Sequence, residues 1–380
     1  MFALSAMGGP WSRAQKIAAA FQTAGHEVAM GMACDGNCRN PVAERILDLP
    51  APAPLGAPMA VAKRTFPIAT KLGIAGRKPV RSFEEVLWLT GNLSHAYLEH
   101  NVQIIREFIR NEGVDAVYSE FSLPAIIAAR AEGVPLVGSA SFPTQASYTT
   151  APAKSGGLRR LLGELGLPGV ESALELFGWM DRRFIPSCPE LEPVEGEGVV
   201  FCGLLEKAPA TASASRSLLV LYLGSGTVPK RQLVCAAVAL ASRAEQDIYL
   251  AGVDPAGLSA TDGAIENLHC APRLDFEVLL PRAAAFVNHG GQNSVMDALR
   301  FGAPQAIYPG KVFERQYNAE SIQAAGAGIR LGEFTAEAIE RALQQLATDG
   351  SYRANAAKLQ EKLSSLGGAE RIVAETERLV

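Results

Sequence analysis

Short apolar runs alternate along the first half of the chain with longer segments in which apolar residues recur every three or four positions. The apolar runs predict strands at 2–6, 26–32, 114–119 and 134–139. The periodic segments predict helices at 12–24, 93–112 and 123–132, the first of them capped by Ser12 and stopped at Gly25. Such alternation is typical of a parallel sheet with helices on both faces, so we expect an α/β fold.

The second half repeats the same alternation from Ser217 and ends in a helical pattern that is broken at Gly367 and Gly368. The segment between the halves, residues 206–216, is rich in small residues and has no periodicity, which is typical of a linker. A length of 380 residues agrees with two or three domains. We therefore predict one domain on each side of the linker.

The segment 287–294 reads Val-Asn-His-Gly-Gly-Gln-Asn-Ser and lies between an apolar run and a predicted helix. A helix N-terminus presents unpaired backbone N–H groups and the positive end of the helix dipole, and glycines allow an anion to approach them. His289, Asn293 and Ser294 add side-chain donors at the same place. The segment predicts a grip for a diphosphate. A glycine-rich turn without a ligand is the alternative, because isolated motifs are weak signals.

Further polar residues follow this segment at informative spacings. Asp297 falls in the first turns of the predicted helix, where a carboxylate can accept hydrogen bonds from ribose hydroxyls. A short apolar strand then leads to a polar loop that carries Glu314 and Asn318. In this order, the segment 289–319 resembles the donor-binding signature of nucleotide-sugar glycosyltransferases of the GT-B fold, especially the natural-product and plant family-one enzymes.

The resemblance implies a GT-B architecture, in which two Rossmann-like domains with parallel sheets face each other across a cleft. It implies an N-terminal acceptor-binding domain at 1–205, the linker at 206–216, a C-terminal nucleotide-sugar-binding domain at 217–355, and a C-terminal helix at 356–380. That last helix is expected to cross back to the N-terminal domain.

The resemblance also assigns residues to parts of the donor. The diphosphate would be held by two groups of residues, His289, Gly291, Asn293 and Ser294 on one side and Gly224, Ser225, Gly226 and Thr227 on the other. The ribose would be held by Asp297. The nucleobase would contact Arg273 and Leu274, since Arg273 falls where the family has a stacking Trp and a guanidinium can stack on a pyrimidine. An ordinary strand-to-helix loop is the alternative at 224–227.

Glu314 and Arg315 fall where the family carries an acid followed by Gln to hold the hydroxyls of the sugar. The acid is present, but Arg315 replaces the Gln. A guanidinium can form a bidentate pair with a carboxylate, so the expected donor is a UDP-hexose, with UDP-glucuronate as a variant. An Arg315 that points to solvent is the alternative.

The catalytic residues of the family are only partly present. The family carries a His general base in the loop after the first strand, but Pro10 falls near that position and no His precedes His26. The family's supporting Asp falls on Glu120, which we predict to be the base or to orient the acceptor, because burial can raise a carboxyl pKa. Three alternatives stay open: a base from His95 or His100, an acceptor that needs little activation, such as a phenol, a carboxylate or a nucleobase nitrogen, or no transfer at all.

Basic residues mark the acceptor side of the first domain. Arg13 lies at a helix start, where the dipole disfavours a cation, and it is a candidate for contact with the acceptor together with Trp11. Six further basic residues lie between Asp48 and Glu84 without an intervening acid: Lys63, Arg64, Lys71, Arg77, Lys78 and Arg81. They leave an anionic acceptor or a peripheral membrane contact open, and a solvated loop is the alternative.

Composition limits the partners and the location. The formal net charge of -4 argues against nucleic acid as a partner, and no run approaches the ~18 apolar residues of a membrane span. The start of the sequence lacks the basic region of a signal peptide, and the 6 cysteines are spread over the chain, as in cytoplasmic proteins. Cys34 and Cys38 do not have the usual zinc spacing, so no metal is expected.

Together these features predict a cytoplasmic, metal-independent, inverting glycosyltransferase. It would transfer a sugar from a UDP-sugar to a small-molecule acceptor in specialised metabolism, such as antibiotic biosynthesis. No cofactor is expected beyond the UDP-sugar co-substrate, and the protein is expected to be a monomer or a homodimer. Two alternatives remain: a noncatalytic protein that binds a nucleotide sugar for a partner enzyme, and a UDP-sugar 2-epimerase of the same fold.

Overall fold

The computed structural model of the protein describes residues 1–3, 8–33, 41–53, 80–208, 216–224, 227–254 and 265–380. Some residues of the sequence analysis therefore lie outside the described part: Cys34, Cys38, Lys63, Arg64, Lys71, Arg77, Lys78, Ser225 and Gly226. The described chain forms two compact units. Unit 1 contains the described residues up to Glu206 together with Leu366–Val380, and unit 2 contains those of Lys207–Ser365.

Unit 1 is built on a parallel sheet with the strand order β3-β2-β1-β4-β5-β6-β7. Its strands are β1 (Phe2–Ala3), β2 (Ala29–Met32), β3 (Arg45–Asp48), β4 (Val117–Glu120), β5 (Leu136–Ser139), β6 (Arg182–Ile185) and β7 (Val199–Phe201). Its first helices are α1 (Gly8–Thr23), α2 (Phe83–Leu89), α3 (His95–Glu112), α4 (Leu123–Glu132) and α5 (Gly156–Glu164). The order of the strands reverses between β1 and β4, which makes the carboxyl end of this pair the expected place for a ligand.

Unit 2 contains a second parallel sheet, with the strand order β10-β9-β8-β11-β12-β13. Its strands are β8 (Leu218–Tyr222), β9 (Ile248–Ala251), β10 (Leu268–Ala271), β11 (Ala283–Asn288), β12 (Gln305–Ile307) and β13 (Gly328–Arg330). Its helices are α6 (Lys230–Ala241), α7 (Phe276–Leu279), α8 (Gln292–Arg300), α9 (Phe313–Ala324), α10 (Ala336–Thr348) and α11 (Ser351–Ser364). Here the order reverses between β8 and β11.

Helix α1 begins at Gly8, so the prediction of Ser12 as its N-cap is wrong. Pro10 lies in the first turn, where a missing backbone N–H costs no hydrogen bond because those positions have no acceptor within the helix. The predicted stop is closer to the structure, since the helix ends at Thr23 and Gly25 has a φ of 93°. Helix α4 has the predicted bounds, with Pro124 in its first turn and Gly133 in the left-handed conformation after it.

The end of the chain returns to unit 1. Helix α12 (Gly368–Glu377) places Ile372 in a core cluster with Ile17 of α1 and Phe184 of β6. Gly368 has a φ of 57°, and a Cβ there would lie 2.5 Å from the carbonyl oxygen of Leu204, so a glycine is required at the turn. The segment that belongs to unit 1 begins at Leu366, whereas its predicted start is residue 356.

None of the helices in the described ranges is both long and apolar enough to cross a membrane.

Candidate functional site

The central strands of unit 2 bring the predicted diphosphate-binding segment to the carboxyl edge of the sheet. Asn288 at the end of β11 pairs in register with Tyr222 at the end of β8. His289 directly follows the end of β11, and Gly224 lies two residues after the end of β8. In open α/β sheets, ligands bind at the carboxyl ends of the strands where the strand order reverses. The topology therefore agrees with a ligand site at this edge.

A buried network of amide side chains fixes the loop after β11. The Asn288 Oδ1 accepts from the backbone N–H of Gly290 at 2.8 Å, and its Nδ2 donates to Gln305 Oε1 at 2.9 Å. Asn318 Nδ2 donates to the carbonyl of Gly290 at 2.8 Å. A Cβ at Gly290, which has a φ of 76°, would lie 2.8 Å from the backbone oxygen of Arg315. The loop is thus held from three sides, and only glycine fits at its centre.

The His289 ring is 9% exposed and lies against two glycines. A Cβ at Gly291 would lie 2.6 Å from His289 Nε2, and one at Gly224 would lie 3.0 Å from the same atom. The ring also contacts Tyr222 edge-on, with 5.5 Å between centroids. The buried Nδ1 makes no hydrogen bond of normal geometry. The absence of side chains at the two glycines therefore leaves room for Nε2, whereas Nδ1 is a buried polar atom without a hydrogen bond of normal geometry.

Burial lowers the pKa of His289 to about 3, and the nearby positive charge of Arg315 adds to this shift, while the backbone of Tyr222 opposes it. The imidazole is therefore neutral at physiological pH. A neutral ring can still donate one hydrogen bond to a phosphate oxygen, but it brings no net charge to the site.

Helix α8 begins immediately after this loop. Gly291 is its N-cap, and no side-chain hydrogen bond caps it. The first turn therefore directs its backbone N–H groups and the positive end of the dipole towards the place that His289 borders. Ser294 is buried, and Asn293 and Asp297 are partly buried on the same helix. The arrangement matches the chemistry of an anion site with a carboxylate one turn further along.

Arg315 lies in the first turn of α9 and contacts the segment that follows β8. Its Nη1 donates to Thr227 Oγ1 at 2.7 Å, and the Thr227 hydroxyl donates to the carbonyl of Leu223 at 2.6 Å. Burial lowers the pKa of Arg315, and the electrostatic effects of Glu314 and Tyr222 oppose this shift. A guanidinium stays protonated in proteins, so a largely buried positive charge lies at the end of β8. This guanidinium does not point freely into solvent.

The segment predicted to contact the nucleobase is anchored on the sheet. Arg273 is exposed, whereas Leu274 packs against the core cluster that contains Phe286. Phe276 contacts the rings of Tyr222 and Phe286 at centroid distances of 5.6 Å and 5.4 Å. The fixed neighbours hold the segment in place while Arg273 stays accessible.

The predicted catalytic residue of unit 1, Glu120, ends strand β4 and has no exposed surface. Its Oε1 accepts from Arg13 Nε at 2.6 Å, and its Oε2 accepts from the Ser139 hydroxyl. The Tyr118 hydroxyl is 2.8 Å from Ser139 Oγ. Glu120 is also in register with Ala3 of β1, at the strand pair where the order reverses. Two predicted residues, Arg13 and Glu120, are thus brought together.

Burial raises the pKa of Glu120, and the opposite effects of Arg13 and Ser139 are smaller. The next residue, Phe121, has a φ of 60°, which is rare for a bulky side chain and costs conformational energy. Its ring lies 5.2 Å from the Arg13 guanidinium carbon and also contacts Phe83 and Phe177. Strain of this kind persists where packing fixes it, and it often accompanies functional sites.

Two other candidates of unit 1, Trp11 and His95, make structural contacts. Trp11 is buried in the core with Ala14 and Met30, which explains its presence without a ligand. The His95 Nε2 is 2.7 Å from Glu164 Oε2, and His100 is exposed. In the described part of the chain, no three His, Cys, Asp or Glu side chains come close enough to hold a metal ion.

The residues that hold the site residues in place are not evident from the sequence. Ser139 and Tyr118 were not predicted, because a sequence does not show which strand ends become neighbours. The amide side chains of Asn288 and Gln305 were also missed. A polar residue at the end of one apolar strand and another within the next was the signal that could have identified them.

Comparisons with known proteins give a consistent picture. Residues 241–379 match the family described as erythromycin biosynthesis protein CIII-like, C-terminal domain. The chain is 29% identical over 127 residues to NDP-glycosyltransferase YjiC of Bacillus subtilis (strain 168), with 33% of this chain and 31% of that protein covered. It is 29% identical over 262 residues to aklavinone 7-beta-L-rhodosaminyltransferase of Streptomyces galilaeus, with 62% and 56% covered. These alignments therefore span about a third to just over half of the relatives' length.

The crystal structure of glycosyltransferase VinC in complex with dTDP has a similar fold. It matches with a TM-score of 0.72 at 19% sequence identity, and the match covers 100% of this chain and 98% of that chain. At this identity the likeness establishes the fold. The chain has the GT-B fold of natural-product glycosyltransferases, as the resemblance implied.

Proposed function

We propose, from the premise that this chain has the GT-B fold of natural-product glycosyltransferases, that it transfers a sugar from a nucleoside-diphosphate sugar to a small-molecule acceptor. The observation that carries the proposal is the edge of unit 2 where His289 lies between Gly224 and Gly291 at the start of α8. A neutral imidazole, glycines and an uncapped helix start suit a phosphate group. The names of the relatives support the same class of reaction.

In this proposal the diphosphate binds to unit 2. Its oxygens are held by the first-turn amides of α8, by His289 Nε2, and by Gly224 and Thr227. Asp297 accepts from the ribose. Glu314 accepts from hydroxyls of a hexose, and Arg273 and Leu274 contact the base. An oxygen or nitrogen of the acceptor attacks the anomeric carbon from the opposite face, inverts it and gives up its proton to water. The bond to the diphosphate oxygen breaks, and the nucleoside diphosphate leaves with that electron pair.

The start of α8 offsets part of the leaving charge without a metal ion. The dipole and amides of α8 are preoriented towards the diphosphate, so no reorganisation is needed when charge develops. We therefore propose a metal-independent enzyme with no cofactor other than the sugar donor. UDP is the proposed nucleotide. The dTDP bound in the VinC crystal structure makes dTDP the nucleotide to test beside it.

The acceptor is proposed to bind to unit 1, near Arg13. Glu120 has both carboxylate oxygens in hydrogen bonds and no exposed surface, so it takes a proton from an acceptor only if the ion pair opens. We therefore assign Glu120 the role of orienting Arg13 towards the acceptor. An acceptor with an acidic proton, such as a phenol or a carboxylic acid of specialised metabolism, fits a site of this kind because it needs little activation.

The proposal is tested by incubating the purified protein with UDP- and dTDP-hexoses, without added metal and with a panel of phenolic and carboxylic acceptors. Release of nucleoside diphosphate that depends on the acceptor, with a new glycoside of inverted configuration, is the expected result. Binding of nucleotide sugars without transfer or hydrolysis would favour a noncatalytic partner protein. Formation of an epimerised sugar would favour a 2-epimerase, and no binding of any nucleotide would overturn the proposal.

A further inference from the structure

A leaving diphosphate needs positive charge, and His289 does not supply it. Burial keeps the pKa of this histidine far below neutral pH, so its ring is uncharged when the protein functions. The start of α8 contributes the equivalent of about half a charge, which is less than the charge that develops on the departing group. A full positive charge close to the same atoms would complete the site.

Arg315 brings such a charge to the same edge of the sheet. Its backbone packs on the loop of His289, since its carbonyl oxygen lies 2.8 Å from where a Cβ on Gly290 would be. Its guanidinium is held by Thr227 at 2.7 Å, at the end of β8. Its charge also acts on the imidazole, because it contributes to the lowered pKa of His289. Backbone, hydrogen bond and electrostatic effect all point to the phosphate side of the site.

The hydroxyl of Thr227 fixes the direction of the guanidinium. It donates to the Leu223 carbonyl, which leaves an oxygen lone pair to accept from Arg315 Nη1. This relay ties Arg315 to Thr227 and to the carbonyl of Leu223 at the end of β8, and Thr227 was assigned to the phosphates. Glu314, the neighbouring residue, is left for the hydroxyls of the sugar. We therefore assign the two residues of the family's sugar-binding pair to different parts of the donor.

We propose that Arg315 is the fixed positive charge of the donor site, and that its guanidinium, held by Thr227, binds the leaving diphosphate rather than a carboxylate on the sugar. The inference rests on the proposed function, because it names a further residue of the same donor site. It assigns the charge to Arg315 and the uncharged hydrogen bond to His289. In this role Arg315 does not require the sugar of the donor to be a uronic acid.

The experiment is a calorimetric titration of the wild-type protein, Arg315→Gln and Arg315→Lys with UDP, UMP, dTDP, dTMP and UDP-glucuronate. Hydrogen bonds to a charged group are worth enough that Arg315→Gln should weaken binding of the preferred diphosphate ~10- to 100-fold. The monophosphate should lose much less, and Arg315→Lys should recover part of the affinity for the diphosphate. Arg243→Gln is the matched control, since Arg243 is an exposed arginine of unit 2 paired with Glu337 and Glu340.

A second variant keeps the test valid if Arg315→Gln does not fold. Thr227→Val removes the hydroxyl that positions the guanidinium and should weaken diphosphate binding several-fold. Unchanged diphosphate affinity in Arg315→Gln and Thr227→Val would overturn the inference. Loss of affinity for UDP-glucuronate alone, with UDP unaffected, would overturn it in favour of a sugar carboxylate. If the wild-type protein binds neither UDP nor dTDP, the proposed function itself fails.

Discussion

The Nε of Arg13 lies 2.6 Å from the Oε1 of Glu120, and this ion pair closes the carboxyl end of β4 in unit 1. The Glu120 carboxylate is fully buried, and the Arg13 side chain is 11% exposed. A carboxylate in this position orients a cation more readily than it accepts a proton from a substrate, because its lone pairs are already in hydrogen bonds. In the proposed function this pair lies where the resemblance places the catalytic residues, and no His precedes His26 in the sequence.

The substitution Glu120→Gln should lower turnover ~100-fold while leaving nucleotide affinity unchanged. The amide keeps the size of the side chain but removes the charge that holds Arg13, and small displacements of positioning groups have effects of this size. It should also lower the free energy of unfolding by about 2–3 kcal/mol, since Arg13 is left without its buried partner. Steady-state kinetics, nucleotide calorimetry and urea unfolding measure the three quantities.

Glu132→Gln is the matched control for this prediction. Glu132 is another glutamate of unit 1 in an ion pair, with Arg106 and Arg110, but it ends α4 rather than a strand. This variant should change stability modestly and turnover very little. Equal turnover in Glu120→Gln and the wild-type protein would remove Glu120 from the reaction.

The buried imidazole of His289 should make stability depend on pH. In the folded protein its pKa is lowered to about 3, from the ordinary histidine value of 6.5. Between these two pH values the unfolded chain therefore binds more protons than the folded protein. Stability from this group is therefore fully present above pH 6.5 and is lost as the pH falls towards 3. Between pH 7.5 and 5.5 the loss should be about 1 kcal/mol.

Urea unfolding of the wild-type protein and His289→Gln at the two pH values checks this expectation. The variant lacks the titrating group, so its free energy of unfolding should fall less over the same interval. The same pH dependence in both proteins would show that the histidine is not buried in the way the structure describes.

Gly291→Ala should weaken nucleoside-diphosphate binding at least ~10-fold. The added methyl carbon would lie 2.6 Å from His289 Nε2, so the ring must move from its place between the glycines. Gly332→Ala is the control, because a Cβ at that position of unit 2 meets no atom within 4 Å. Calorimetry with the diphosphate that the wild-type protein prefers gives the comparison. Equal affinity in both variants would contradict the tight contact of His289 with Gly291.

Local sequence patterns predicted the bounds of a helix well where the residues at its two ends favour a single start and a single stop. Helix α4 was predicted with its bounds because Pro124 and Gly133 suit its two ends. The start of α1 was missed because Ser12 is a good cap in isolation, whereas Pro10 and two glycines allowed an earlier start.

The sequence supplied the candidate residues of the site but not the contacts between them. The motif around His289 indicated a phosphate site, since its chemistry is contiguous in the sequence. The contact of Arg315 with Thr227 joins residues 88 positions apart, and the pair of Arg13 and Glu120 joins residues 107 apart. Such contacts follow from strand order and register, which a single sequence does not specify. Burial and its effect on pKa depend on the same long-range packing.

The most direct test is a calorimetric titration of the wild-type protein and His289→Ala with UDP and dTDP in the absence of metal. We expect the wild-type protein to bind at least one of the two diphosphates and His289→Ala to lose this binding, while the variant still unfolds cooperatively in urea at pH 7.5. Retained affinity in a folded His289→Ala variant would contradict the assignment of this edge of unit 2 as the donor site.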